Sequence, residues 1–150
     1  MILPRGIRNN NPGNIRKSDV LWVGKVAGDD LDFETFDTPV RGLRALMVTL
    51  LTYYRRRGLD TVQAIINRWA PPSENDTASY ASAVAAELGV PVRDKIAVTA
   101  PTTLMALARA IVCHENGRPP TGRPAAWYDD AVYDRACRMA LGRDYPQTQA

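Results

Sequence analysis

Thr103-Leu104-Met105-Ala106-Leu107-Ala108-Arg109-Ala110-Ile111-Val112-Cys113-His114-Glu115-Asn116-Gly117 is an apolar stretch that ends on a carboxylate. Leu104, Ala108, Ile111 and Glu115 recur at i, i+4, i+7 and i+11, so they share one stripe of a helix. The first three belong against a core. Glu115 therefore points along the same stripe, at the helix C-terminus. An idle carboxylate is poorly placed there, because the helix dipole repels negative charge at that end and burial disfavours the ionised form. Both effects favour a carboxyl that can donate a proton, as cleavage at a glycosidic oxygen requires. The alternative is an exposed glutamate in a fraying last turn.

Outward from this helix, four more are predicted. Thr38-Pro39 is an N-cap and first-turn pair, followed by Leu43, Leu46, Met47, Leu50 and Tyr54 at helical spacing and closed by Gly58. A second helix starts near Asp60-Thr61, carries Val62, Ile65, Ile66 and Trp69 on one side, and stops at Pro71-Pro72. A third follows Asp76-Thr77, with Tyr80, Ala81, Val84 and Leu88 inward and Gly89 at its end. The quoted helix runs from about Pro101 to Glu115, and the last covers about Asp129 to Leu141, before Gly142. Residues 5–37 differ. Asn9-Asn10-Asn11-Pro12-Gly13-Asn14 is a dense turn signal, Asn14-Ile15-Arg16 and Val20-Leu21-Trp22-Val23 are β-prone, and Asp32-Phe33-Glu34-Thr35-Phe36 alternates with period two. Loops and a small irregular sheet are expected. The fold class is α+β, mostly α: one domain over 1–150, with a β-rich lobe at 5–37, a helical lobe at 38–142 and a frayed polar tail at 143–150.

The chain has 150 residues, 45% of them hydrophobic, enough for a core without staples. No apolar run approaches the roughly 20 residues that span a bilayer. The opening Met1-Ile2-Leu3-Pro4-Arg5-Gly6 does not read as a secretory signal. Cys113 and Cys137 fall in predicted helices and read as small buried apolar residues rather than a disulfide. The single histidine, His114, has no cysteine or histidine cluster at metal-ligand spacing, so neither metal nor cofactor is expected. A net charge of +3 suits an anionic polymer, cell wall or nucleic acid, or solubility alone. The run Arg55-Arg56-Arg57 complements a helix C-terminus and reads as a solvated face. With no glycine-rich phosphate loop and no RNA-binding aromatic signature, nucleic acid is not the expected partner.

Two further constellations have candidate chemistry. Arg8-Asn9-Asn10-Asn11-Pro12-Gly13-Asn14-Ile15 holds the donors and acceptors that read sugar amides, although the same residues also simply make turns. Trp69-Ala70-Pro71-Pro72-Ser73-Glu74-Asn75-Asp76-Thr77, with Tyr80 one turn later, offers aromatic faces for pyranose rings and two carboxylates. Asp76 reads first as an N-cap and only second as a site carboxylate, and Trp69 shares a stripe with Val62 and Ile65, so it is core or cleft.

Arg5-Gly6-Ile7-Arg8-Asn9-Asn10-Asn11-Pro12-Gly13-Asn14-Ile15-Arg16, Trp22-Val23-Gly24, Phe33-Glu34-Thr35-Phe36, Gly42-Leu43-Arg44-Ala45-Leu46, Trp69 to Tyr80 and Glu115-Asn116-Gly117 together resemble a family of phage structural or virion-associated proteins that recur in prophages. The resemblance spans roughly residues 5 to 120. More distantly, Asn10 to Arg16 with Trp22 and Gly24 is similar to the β-region of lysozyme-fold glucosaminidases. In those enzymes and in soluble lytic transglycosylases, a helix ending in Glu-Ser-Gly precedes the β-region and supplies the catalytic acid. Here Glu115-Asn116-Gly117 comes later in the chain, with asparagine in place of serine. The resemblance thus implies a circularly permuted lysozyme-like fold that cuts peptidoglycan between N-acetylmuramic acid and N-acetylglucosamine. Glu115 is then the catalytic acid. Asn10, Asn11, Asn14 and Ile15 hold the sugar, and Trp69, Glu74, Asn75 and Tyr80 line the opposite wall. No second carboxylate is placed, which favours lytic transglycosylase chemistry over hydrolysis. The implied partners are glycan strands and phage virion proteins. The implied state is a monomer in the virion, or in the host cytoplasm with delivery to the wall. Two rival expectations are a non-catalytic virion or wall-binding module on the same scaffold and a nucleic-acid-binding structural protein.

Overall fold

Local capping chemistry sets the helix boundaries. The computed structural model describes residues 2–142. In chain order its elements are α1 (Arg5–Arg8), β1 (Lys25–Val26), β2 (Thr35–Phe36), α2 (Pro39–Arg57), α3 (Val62–Trp69), α4 (Thr77–Leu88), α5 (Pro101–Asn116) and α6 (Asp130–Leu141). The Thr38 side chain accepts from Arg41 N at 3.3 Å to open α2, Thr61 from Ala64 N at 3.1 Å to open α3, and Asp76 from Ser79 N at 3.3 Å to open α4. Gly58, Gly89 and Gly142 close α2, α4 and α6 in the left-handed conformation.

One contiguous core joins Leu43, Leu46, Met47 and Leu50 of α2, Ile65 and Ile66 of α3, Val84 of α4, Leu104, Leu107 and Ile111 of α5, and Tyr133 of α6. Each such side chain, fully buried, contributes about 1.5–3 kcal/mol relative to exposure. Helix α5 packs against α1, α2, α4 and α6, which makes it the hub of the molecule. Its last turn is therefore held from several sides rather than free to fray.

The β-lobe is smaller than expected. β1 and β2 pair antiparallel, Lys25 with Phe36 and Val26 with Thr35, and an isolated bridge joins Arg16 to Phe33. The fold is α+β, mostly α, but the region expected as loops and sheet also contains the one-turn helix α1. Val20 to Val23 is not a strand: Val20, Leu21 and Val23 are exposed, and the chain turns through Gly24 at φ 84°. The loop before β2 is organised by Asp30, which accepts from Arg5 Nε at 2.5 Å, from Asn9 Nδ2 at 3.0 Å and from the backbone of Asp32 and Phe33. The Arg5 guanidinium, more than any other neighbour, holds the Asp30 carboxyl well below the usual carboxylate range.

Other expectations change too. Tyr54 is exposed and Leu51 takes its place in the core, because α2 turns Leu50 and Leu51 inward together. Leu88 is half-buried. Cys137 is buried but Cys113 only half so, and among the described residues neither forms a disulfide. The predicted tail, 143–150, lies outside the described residues. Among the described residues no helix is long and apolar enough to cross a membrane.

Candidate functional site

Glu115 sits in the last turn of α5, half-buried, and each of its oxygens accepts one hydrogen bond. Asn14 Nδ2 donates to Oε1 at 3.0 Å, and the Tyr80 hydroxyl donates to Oε2 at 2.8 Å. The three groups come from the early asparagine loop, α4 and α5. Asn14 reaches the acid from a left-handed backbone (φ 52°), a conformation asparagine tolerates better than most residues. Tyr80 is 3% exposed, and burial first, then the neighbouring Glu115, push its phenol far up, so it remains a donor. His114 stacks on the Tyr80 ring, with centroids 3.6 Å apart.

Behind the acid, Asn116 Nδ2 donates to Pro12 O at 2.8 Å and to Val112 O at 2.9 Å, tying the end of α5 to the asparagine loop. These donations set the amide orientations of Asn14 and Asn116 and turn both Oδ1 atoms toward Gly6. A Cβ at position 6 would lie 2.6 Å from Asn116 Oδ1 and 2.8 Å from both Asn14 Oδ1 and Asn11 O. Gly6 thus permits the close approach of α1 that the acid's supports need.

Glu115 opens onto a groove of about 560 Å³ between the β-lobe and the helices. Asn14, Ile15, Arg16, Trp22 and Phe33 line one wall, while Thr49, Tyr53, Trp69, Pro71, Glu74 and Asn75 line the other. Aromatic faces on both walls suit flat apolar ring surfaces. The Trp22 indole N–H is buried without a protein acceptor. A separate depression of about 450 Å³ lies beyond the 71–75 loop, around Asp76 and Arg93.

Protein P5 of Pseudoalteromonas phage PM2 is 42% identical to this chain over 120 residues, covering 77% of the chain and 73% of the phage protein. The chain belongs to the Protein P5 family. No family model matches it. The bacteriophage resemblance is thereby established at the level of Protein P5, whose name states no activity.

In this P5-family chain the groove brings together Glu115, Asn14, Ile15, Trp69, Glu74 and Asn75, with Tyr80 bonded to the acid from behind. Trp69 is half-buried, resting on the core and lining the groove. Two sequence expectations fail. Asn11 has no exposed surface; its Nδ2 donates to Ile15 O and Glu34 O, and its Oδ1 accepts from Ile15 N, all at 2.9 Å. Asn10 Nδ2 donates to Phe36 O at 3.1 Å. Both pin the loop to β2 and neither lines the groove. Asp76 acts as a cap, and Glu34 is buried and paired with Lys25 at 2.9 Å. Sequence inspection missed Tyr53, Thr49, Arg16 and Phe33 as groove residues and Gly6 and Asn116 as supports. Only Asn116, adjacent to the acid, carried a local signal. Among the described residues no group of three His, Cys, Asp or Glu could hold a metal.

Proposed function

We propose that this P5-family chain cleaves the glycan strands of peptidoglycan, on a lysozyme-like scaffold in circularly permuted order. The observation that carries this is Glu115 itself: a carboxyl at a helix end, aimed into a groove between two lobes and held at both oxygens by Asn14 and Tyr80. The acid-bearing helix faces an asparagine loop about a hundred residues earlier in the chain, as permutation requires. The protonated Glu115 gives its proton to the glycosidic oxygen as the bond to the anomeric carbon breaks. The substrate's own 6-hydroxyl then attacks that carbon and returns a proton to Glu115, leaving a 1,6-anhydro end. A second carboxylate is dispensable in this route. That agrees with Glu34 being tied to Lys25 and Glu74 standing on an exposed loop. Asn14 and Tyr80 hold the carboxyl in position, and Trp69 and Tyr53 offer faces for sugar rings.

The test is mass spectrometry of the products released from purified sacculi. Anhydro-muramyl ends are expected from the wild type and none from Glu115→Gln; reducing ends would replace the internal attack by water. No products from the wild type would refute the enzyme. A non-catalytic wall-binding role is the second reading, favoured by the engagement of both Glu115 oxygens in the free protein. It would show as sacculus binding without release of muropeptides.

A further inference from the structure

Two exposed arginines, Arg57 and Arg68, lie beside Tyr53, a residue that lines the groove, and among the described residues no carboxylate pairs with either. Thr49, Tyr53 and Arg57 recur every four residues along α2 and so share a stripe. The first two line the groove, and Arg57 lies one turn further on. From α3, the Arg68 guanidinium lies 5.8 Å from the centre of the Tyr53 ring, and its neighbour Trp69 lines the groove. Arg57 and Arg68 are both exposed, with Arg55 and Arg56 beside them. The Tyr53 phenol registers both charges: burial pushes it up, and Arg68 and Arg57 oppose that shift. Arg5, Lys25, Arg41, Arg109, Arg118 and Arg138 all make ion pairs, whereas among the described residues Arg57 and Arg68 make none. Arg57 and Arg68 each stand in the last turn of their own helix, where the dipole favours a cation, and the two helix ends converge on Tyr53, a groove residue.

We infer that Arg57 and Arg68 form an anion subsite for the carboxylates of the peptide stems borne by the glycan strand. The substrate is then peptide-bearing peptidoglycan rather than naked glycan. This rests on the proposed function and adds to it the chemistry of the polymer. A guanidinium pair suits carboxylates, which it meets with paired N–H donors. The distribution of charge favours a stem peptide over a nucleic acid. A phosphate backbone needs cations along its track, whereas this groove is lined by Glu115 and Glu74 with the single arginine Arg16, and Arg57 and Arg68 lie outside it, beside Tyr53.

The test compares intact sacculi with glycan strands stripped of peptides by an amidase, for the wild type and for the Arg57→Gln/Arg68→Gln double variant. Both positions are exposed, and an unchanged circular dichroism melt checks the fold. The variant is expected to raise KM on the peptide-bearing polymer about tenfold, with kcat held within about twofold. Cleavage of stripped strands should be unchanged, and the wild-type preference for peptide-bearing strands should shrink as salt is added. Equal losses on both polymers, or no loss on either, would overturn the subsite. Should the wild type cut neither polymer, the enzymatic proposal falls, and binding decides the subsite. Co-sedimentation favouring peptide-bearing over stripped strands, with the preference lost in the double variant, supports it; equal binding, or tighter binding to double-stranded DNA, overturns it.

Discussion

Gly6→Ala adds one methyl group where three oxygens converge, and its cost can be worked from the structure. In an ordinary helix the change gains about 0.5–1 kcal/mol. Here the methyl carbon would stand 2.6–2.8 Å from Asn116 Oδ1, Asn14 Oδ1 and Asn11 O, whereas even a favourable C–H···O contact places carbon about 3.3–3.6 Å from oxygen. Each oxygen must retreat by about half an ångström or more. Asn14 cannot do so without loosening Glu115, and Asn116 cannot without loosening Pro12 or Val112. Asn11 O is backbone and accepts from Asn14 N at 2.9 Å. Overpacking of this kind costs about 1–3 kcal/mol. After the helical gain, a net loss of up to about 2.5 kcal/mol remains, or up to roughly 10 °C in Tm for a domain of this size. Thermal unfolding followed by circular dichroism measures it, with muropeptide release assayed on the same preparation. Activity should fall by more than the unfolded fraction explains, since Asn14 is displaced. Gly58→Ala is the control: its Cβ meets nothing within 4 Å, so only its left-handed backbone (φ 67°) is strained, and activity should survive. A Gly6→Ala protein that melts higher than the wild type would refute the packing proposed around the acid.

Further outcomes are expected elsewhere. Glu115→Gln should retain a native circular dichroism spectrum and release no muropeptides; full activity would remove Glu115 from the chemistry. Tyr80→Phe deletes the hydroxyl that donates to Glu115 Oε2 and should cost about 1–2 kcal/mol in urea denaturation, with a large fall in activity. Unchanged turnover in that variant would leave Tyr80 a core residue only. Because Asp30 is held below its unfolded value, near 3.9, its stabilisation is present above that pH and drains away as the pH falls below it. Asp30→Asn should therefore weaken the loss of stability between about pH 5 and pH 2, and an unaltered stability profile would show that the Arg5 pair contributes nothing.

The helices were legible because their signals are local. Thr38-Pro39, Thr61, Asp76 and the closing glycines act within a turn of themselves, and the apolar spacing of α2 and α5 runs over several turns. Strand β2 falls within the alternating stretch Asp32 to Phe36, whereas helix α1 and strand β1 escaped because a four-residue helix and a two-residue strand are shorter than any period that could announce them. The asparagine loop was legible by composition but not by direction. Asn10, Asn11 and Asn14 look alike in sequence, yet Asn11 is sealed inside the loop and Asn14 faces the acid. Cys113 was misjudged for a similar reason: residue type predicts average burial, and its place on α5 left it half covered.

The sequence by itself determined that an apolar helix would carry a glutamate to its end, because side-chain spacing along a helix follows from backbone geometry alone. It also determined that a donor-rich turn would lie near the start of the chain. Only the tertiary structure decided that these two meet, through Asn14 at a sequence separation of 101 and Tyr80 at 35. The physical reason is that contacts across such separations depend on the path of the whole backbone, here on a left-handed Asn14, a glycine at position 6 and the packing of α5 against four other helices. None of these is written within a single window of sequence.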